Sequence, residues 1–261
     1  MHLFDHDISN FTGDGLSLKG SITPNWFING NPHGGYLMAV LASAVFGQSR
    51  YPHLKILTAN FISRCSPGEA RIYLEQMGAS TQFDRWQASL RQGEEEKIRA
   101  LATLMKEDGN TAEKYYEHSP PDVPSIDTCV AFPQMPGYTF FDQMEVRLAP
   151  DCAGWMTGDL GGKSELRGWV RFREERPFDM LGVLLAADAF PPAIFPRQGM
   201  AAWVPTLELS VNIRNPATTP WLKCVFCSNY LHNGMVEEDG TVWAESGELI
   251  AISRQIAQFR K

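Results

Sequence analysis

Two short stretches hold the residues best suited to chemistry, and more than half the chain separates them. The first is Asn31-Pro32-His33-Gly34-Gly35, set just before an unbroken apolar run. At a helix start the leading N–H groups have no intrahelical partner and sit at the positive end of the dipole. Glycines there let a ligand approach the backbone closely. A carbonyl oxygen that gains charge during a reaction would be stabilised by such fixed donors, by roughly a few kcal/mol per donor. The plainer use of Gly34 and Gly35 is tight packing where the helix begins, and the residues alone leave both uses open.

The second stretch is 184–190, in which Asp188 stands among alanines and beside Phe190. A carboxylate in such company is costly to bury without a partner. It either reaches solvent or caps the turn at Pro191-Pro192, or it works as a general base on water or as a nucleophile. The two stretches are complementary. Residues 31–50 hold the glycine pair and no Asp or Glu, while the segment before the second apolar run, Glu174-Glu175-Arg176-Pro177-Phe178, holds no glycine pair.

Other patterns are weaker. Cys224-Val225-Phe226-Cys227 matches CxxC, but its aromatic and apolar flanks read as a strand. Residues three apart on a strand point to opposite faces, so two ordinary strand cysteines are expected. His2, His6, His53, His118 and His232 show no metal-ligand spacing, and no metal is expected. Neither GxSxG, a Walker A loop nor GxGxxG occurs.

These residues need elements to hold them. The run 34–46, GGYLMAVLASAVF, is apolar nearly all round, which predicts a helix that is wrapped rather than laid on a surface. Strands are expected at 56–64, 69–80, 82–92 and 97–105. The second half repeats the plan. A helix at 178–190 is stopped by Pro191-Pro192, then strands follow at 204–214 and 221–234, with a hairpin-like pair around Gly247. Two short strands, 139–149 and 165–173, precede that helix. ILTANFISRCSP and TLELSVNIRNP occupy matching places, so the halves form an approximate internal repeat. The polar, proline-bearing stretch 106–125 reads as linker. The expected fold class is α+β: two repeats, each a long antiparallel sheet wrapped around a central apolar helix, with the sheets joined edge to edge. The division expected is 1–108, a linker at 109–130, and 131–261.

The 261 residues are 44% hydrophobic and 20% charged, which excludes a disordered or collagen-like chain. A formal net charge of −7 argues against nucleic acid as a partner. No run of 18 apolar residues predicts a membrane span, and the acidic start does not read as a signal peptide. Five cysteines in a chain of this length do not suggest a disulfide scaffold, so the cytoplasm is the expected compartment.

The order of these segments resembles the hotdog fold in its duplicated form, the double hotdog. Asn31-Pro32-His33-Gly34-Gly35-Tyr36-Leu37 is similar to the Asn-x-His-Gly-Gly stretch that opens the central helix in many hotdog thioesterases. Residues 184–190 look like the acidic helix position, and LIAISRQIAQFR looks like the last strand of acyl-CoA thioesterase II-type proteins. The resemblance implies an acyl-CoA thioester hydrolase of lipid metabolism. Its implied catalytic residues are Asp188, Thr206 and Gln255, which orient a water, with Ser210 as the alternative to Thr206. It implies oxyanion or substrate contacts at Asn31, His33, Gly34 and Gly35, and an acyl pocket near Phe190, Phe195 and Trp203. Arg64, Arg197 and Arg214 are candidates for the CoA phosphates. The partner implied is a small-molecule acyl-CoA, with no cofactor beyond the CoA of the substrate, no membrane, and further association of such units into homo-oligomers open. One working site and one degenerate counterpart are expected per chain. Two rival activities are an enoyl-thioester hydratase or dehydratase of the same fold and a non-catalytic acyl-CoA binding module.

Overall fold

A computed structural model describes residues 1–106, 114–200 and 203–260. The chain opens with helix α1 (Leu3–Ile8) and strand β1 (Ser17–Ile22), which the apolar pattern did not announce. A two-residue pair, β2 (Phe27–Ile28) and β3 (Asn31–Pro32), leads into helix α2 (Gly34–Phe46). Four long strands follow: β4 (His53–Phe61), β5 (Gly68–Ala79), β6 (Phe83–Gln92) and β7 (Glu95–Met105).

The second half begins with β8 (Val130–Ala131), α3 (Phe140–Gln143), β9 (Met144–Leu148), α4 (Pro150–Ala153) and β10 (Glu165–Phe172). Helices α5 (Met180–Ala186) and α6 (Phe195–Gln198) come next. Strands β11 (Thr206–Ile213), β12 (Leu222–Cys227), β13 (Leu231–His232), β14 (Met235–Ala244) and β15 (Leu249–Gln258) close the chain.

One sheet runs through both halves in the order β1-β5-β6-β7-β4-β11-β15-β14-β12-β10-β9-β8, with β13 on β14. The halves meet edge to edge at β4 and β11, where Leu57 lies opposite Val211 and Ala59 opposite Leu209. Those four side chains are buried, whereas Thr58 and Ser210 pair through their hydroxyls at 2.8 Å on the other face of the seam. Every residue of α2 from Gly35 to Ala42 is buried, as its all-round apolar character predicts. Helix α5 packs against it. A Cβ on Gly35 would lie 2.6 Å from the Leu184 carbonyl oxygen, so the two helices approach this closely only because that side chain is missing.

Several expectations change in detail. The helix expected over 178–190 is only Met180–Ala186. Asp179 caps its start, and a turn replaces its last residues because a residue before proline disfavours helix. The first residues of the strand expected over 139–149 form α3 instead, which seats Phe140 and Phe141 in the core. The strand expected over 221–234 divides into β12 and β13. Along β12 the burial alternates, so Cys224 points inward and Cys227 outward. Of the linker, 107–113 lies outside the described residues. Residues 114–125 form no helix or strand, and Trp169 Nε1 donates to the Pro124 carbonyl at 2.8 Å. Val123 and Cys129 cluster on the same indole, so this stretch is pinned against β10. Among the described residues no helix is long and apolar enough to cross a membrane.

Candidate active site

The start of α2 and the end of α5 meet at one place, and this brings the two chemical stretches together. Asp188 lies in the turn just past α5, and its Oδ2 accepts the Gly35 N–H at 2.8 Å. The carboxylate therefore caps a helix from the opposite repeat, at the positive end of its dipole. The glycines make this approach possible. A Cβ on Gly34 would lie 2.8 Å from Asp188 Oδ2 and 3.1 Å from Phe61 Cζ.

His33 is the residue before α2, yet its side chain does not cap its own helix. Nε2 lies 2.7 Å from the Asp188 carbonyl oxygen and 3.5 Å from its Oδ2. Since the carbonyl can only accept, Nε2 carries the proton and donates. The ring is buried and stacks on Phe140 with centroids 4.0 Å apart. Burial pushes the imidazole below its usual pKa, more than the Asp188 charge raises it. His33 is thus a neutral clasp on the turn that carries the acid. The structure places the ring in an enclosed position, with Nε2 on the Asp188 carbonyl. Asn31 turns its amide back onto the carbonyl of Asn29 at 3.0 Å, holding the β2–β3 turn.

One expectation about the amides also changes. The Gly35 N–H, expected to face substrate, is engaged by Asp188, while the Gly34 N–H has no hydrogen-bond partner among the described residues. Asp188 Oδ1 likewise has none among the described residues, so one carboxylate oxygen is anchored and the other is without a protein partner there.

Gln255 is buried on the inner face of β15, opposite Leu209 of β11 and Glu238 of β14. Its amide makes no side-chain hydrogen bond among the described residues. Thr206 pairs with Ala257, two residues along the same face. Thr206 and Leu209 are three apart and would point oppositely on a regular strand. A bulge between Thr206 and Glu208 restores the phase, so Thr206 faces inward with Gln255. Neither side chain bonds to Asp188 directly. Ser210, the alternative to Thr206, lies on the outer face against Thr58, which removes it from the site.

The expected acyl pocket is mostly core. Phe190 packs on Phe226 with ring centroids 5.2 Å apart, and Phe195 packs on Trp155 at 5.4 Å. Trp203 is 42% exposed and pairs its backbone with Arg260, so it lines no enclosed slot. The ring nearest the glycines is Phe61, which the sequence reading did not single out. Of the three arginines, Arg64 reaches the Gly30 carbonyl at 3.4 Å, on the turn before α2.

A second residue was missed. Glu238 lies on the inner face of β14, and its Oε2 accepts the Ala193 N–H at 2.5 Å, just beyond the Asp188 turn. The alternation Val236-Glu238-Gly240-Val242, whose other members are buried, was the available signal. Among the described residues no group of His, Cys, Asp and Glu is arranged to hold a metal.

Comparison with known proteins bears on what this arrangement is for. Residues 120–259 match the acyl-CoA thioesterase C-terminal domain profile, and residues 22–105 match the corresponding N-terminal domain. Among solved structures, the chain is similar to a candidate thioesterase II from Thermobifida fusca, with a TM-score of 0.91 at 24% identity, covering 100% of this chain and 98% of that one. A conserved hot dog protein from Alicyclobacillus acidocaldarius gives 0.91 at 20% identity, covering 100% and 99%. Acyl-CoA thioesterase II TesB2 from Mycobacterium marinum gives 0.77 at 16%, covering 98% and 97%. These likenesses establish the fold as a double hotdog. The comparison with curated proteins finds no match.

Proposed function

The chain belongs to the acyl-CoA thioesterase C-terminal domain family, and from that premise we propose that it hydrolyses an acyl-CoA thioester to the free acid and CoA. The observation that carries the reading is the Gly35 N–H to Asp188 Oδ2 bond at 2.8 Å, which joins a carboxylate of one repeat to the helix start of the other. Anchored through Oδ2, the carboxylate presents Oδ1 to a water. That oxygen takes a proton as the water attacks the thioester carbon. The carbonyl oxygen becomes an oxyanion beside the Gly34 N–H at the positive end of α2. The C–S bond then breaks, the electron pair leaves on sulfur, and the proton held by Asp188 goes to the departing thiolate. Thr206 and Gln255, on the inner face of the sheet, each combine a donor and an acceptor and so suit holding the water. Arg64, beside the turn before α2, suits a CoA phosphate. The repeats proposed are residues 1–108 and 131–261.

The test is thiol release from a panel of short, medium, long, branched and aromatic acyl-CoA thioesters, with Asp188→Asn run alongside. The amide oxygen of that variant can still accept the Gly35 N–H, so the fold should survive while turnover disappears. A variant that keeps native turnover on a good substrate removes Asp188 from the mechanism.

A second reading has one observation in its favour. His33 and Asp188 share the site, Nε2 to Oδ2 at 3.5 Å, which is the pairing expected of an enoyl-thioester hydratase or dehydratase. The burial of the ring and its commitment to the Asp188 carbonyl rank this second. An enoyl-CoA hydration assay on the same preparations decides between them.

A further inference from the structure

The pairing of α2 with α5 has two ends, and only one holds Asp188. At the other, the end of α2 faces the start of α5 across a cleft of about 510 Å³. That lies within the usual range of small-molecule pockets, about 300–1,000 Å³. Phe46, Tyr51, Met180 and Leu181 give the cleft apolar walls, and Arg50 and Asp179 bring opposite charges to it.

The wall that carries Arg50 is firmly built. Tyr51 is buried, and its Oη lies 2.9 Å from the carbonyl oxygens of both Ser80 and Thr81, in the turn between β5 and β6. Ser49 Oγ donates to the buried Asp84 at 2.9 Å and accepts the Tyr51 N–H at 3.1 Å. Between them, Arg50 sets its guanidinium 4.7 Å from the centre of the Tyr51 ring, and Nη2 donates to the Ser80 carbonyl at 2.7 Å. The cation is thus held by neutral groups, and no carboxylate among the described residues pairs with it.

The acid of the cleft is in the opposite state. Asp179 Oδ1 accepts the Gly182 N–H at 2.8 Å, and Oδ2 accepts from Arg176 at 2.7 Å. The charge left unanswered is therefore a single positive one beside an apolar wall. A guanidinium with donors to spare matches one carboxylate, which it can grip through two parallel bonds. A phosphate dianion there would be only half neutralised.

We propose that this cleft binds an amphipathic monocarboxylate, with its head on Arg50 and its chain against Phe46, Met180 and Leu181. It is a second ligand site, without chemistry of its own, at the end of the helix pair opposite Asp188. Thioester hydrolysis releases an acid of this class, and only that identification of its source rests on the reading above.

The experiment titrates sodium octanoate into protein with isotope-labelled methionine methyl groups, followed by NMR, with the Met180 signal assigned through Met180→Leu. The Met180 methyl should shift saturably. Arg50 is exposed, so its variants should fold and keep native turnover. Arg50→Gln should weaken octanoate binding at Met180 roughly 3- to 10-fold. Arg50→Lys should recover part of that loss, and Arg50→Glu should abolish binding. Octylamine, octanol and octyl phosphate, which share the chain and change the head, should each bind more weakly than octanoate. A Met180 signal that octanoate leaves unmoved overturns the proposal, as does an Arg50→Gln variant that binds like the native chain. Octylamine binding as tightly as octanoate would make Asp179 the partner of the head, and tighter octyl phosphate would replace the carboxylate; either result overturns the assignment. If the native chain hydrolyses no acyl-CoA, the parent reading fails separately, and the octanoate titration still decides this site.

Discussion

Helices α2 and α5 lie side by side in opposite directions, and their two ends have been resolved in opposite ways. At the Gly35 end the helix start is capped from across the repeat boundary by Asp188. At the other end α5 is capped by its own Asp179, whose Oδ1 accepts the Gly182 N–H at 2.8 Å. Asp179 is also neutralised. Arg176 donates to its Oδ2 at 2.7 Å and to Asp5 of α1 at 2.7 Å, while stacking over Phe4 and Phe172. A cleft of about 510 Å³ lies there, lined by Phe46, Ser49, Arg50, Asp179 and Met180 among others. The lesson is one of occupancy. An acid that caps its own helix and holds an arginine has no oxygen left for a reaction, whereas an acid borrowed from the other repeat keeps one oxygen unclaimed.

The comparison can be broken outright by one pair of variants. Asp188→Asn should lower kcat by roughly 10²- to 10⁴-fold with the circular dichroism spectrum unchanged. Asp179→Ala should leave turnover per folded molecule near native and cost about 1 kcal/mol in denaturant unfolding, through loss of the cap. The reverse pattern would move the working site to the other end.

Next in size are the glycines. Gly35→Ala must push its methyl into the Leu184 carbonyl and should cost about 1–3 kcal/mol along with activity. Gly34→Ala meets the Asp188 carboxylate instead, so its turnover should drop more than its stability. Equal stability losses would mean that Gly34, too, serves packing.

Arg176→Met sharpens the other end. It should destabilise by about 1–2 kcal/mol, since Asp5 and Asp179 are partly exposed and keep water, and turnover per folded molecule should not change.

A last contrast is read in stability against pH. Glu238 has its folded pKa raised from 4.5 to about 8, so its stabilising contribution is complete below 4.5 and is lost as pH rises through about 8. Asp7 runs the other way. Burial raises it, but hydrogen bonds from Asn25, His6, Trp26 and Thr23 outweigh this and hold it below 3.8, so its contribution is lost as pH falls through that lowered value. Denaturation midpoints across pH should therefore move apart from native in opposite directions as pH rises: Glu238→Gln should gain on the native chain between about 4.5 and 8, and Asp7→Asn should fall behind it once Asp7 is ionised.

Much of this was legible because burial dictated it. The helix 34–46 is apolar on every side, and its observed bounds are Gly34–Phe46. The long strands and their edge-to-edge join follow from alternation and repeat. What escaped was set by contacts between distant segments. α1 is short, and its place depends on Asp7 meeting Thr23, Asn25 and Trp26. The inward turn of Thr206 depends on a bulge that no period of two reveals. Glu238 sits in Val236-Glu237-Glu238-Asp239, a run of acids that looks solvated until every second residue is followed inward. That Asp188 would hold Gly35 required knowing that the ends of two helices meet, which is a fact of packing.

The seam of β4 on β11, with Leu57 against Val211 and Thr58 against Ser210, makes one covalent chain of what symmetry would otherwise make a pair of identical partners. In a symmetric pair every substitution appears twice, once at each end of the axis, so any change that improves one end is imposed on the other. Here a mutation at Asp179 or Arg176 is felt once. Selection can therefore harden one end of the helix pair into a joint while leaving the other free to keep a reactive group, a division of labour that a homodimer of single repeats has no means to inherit.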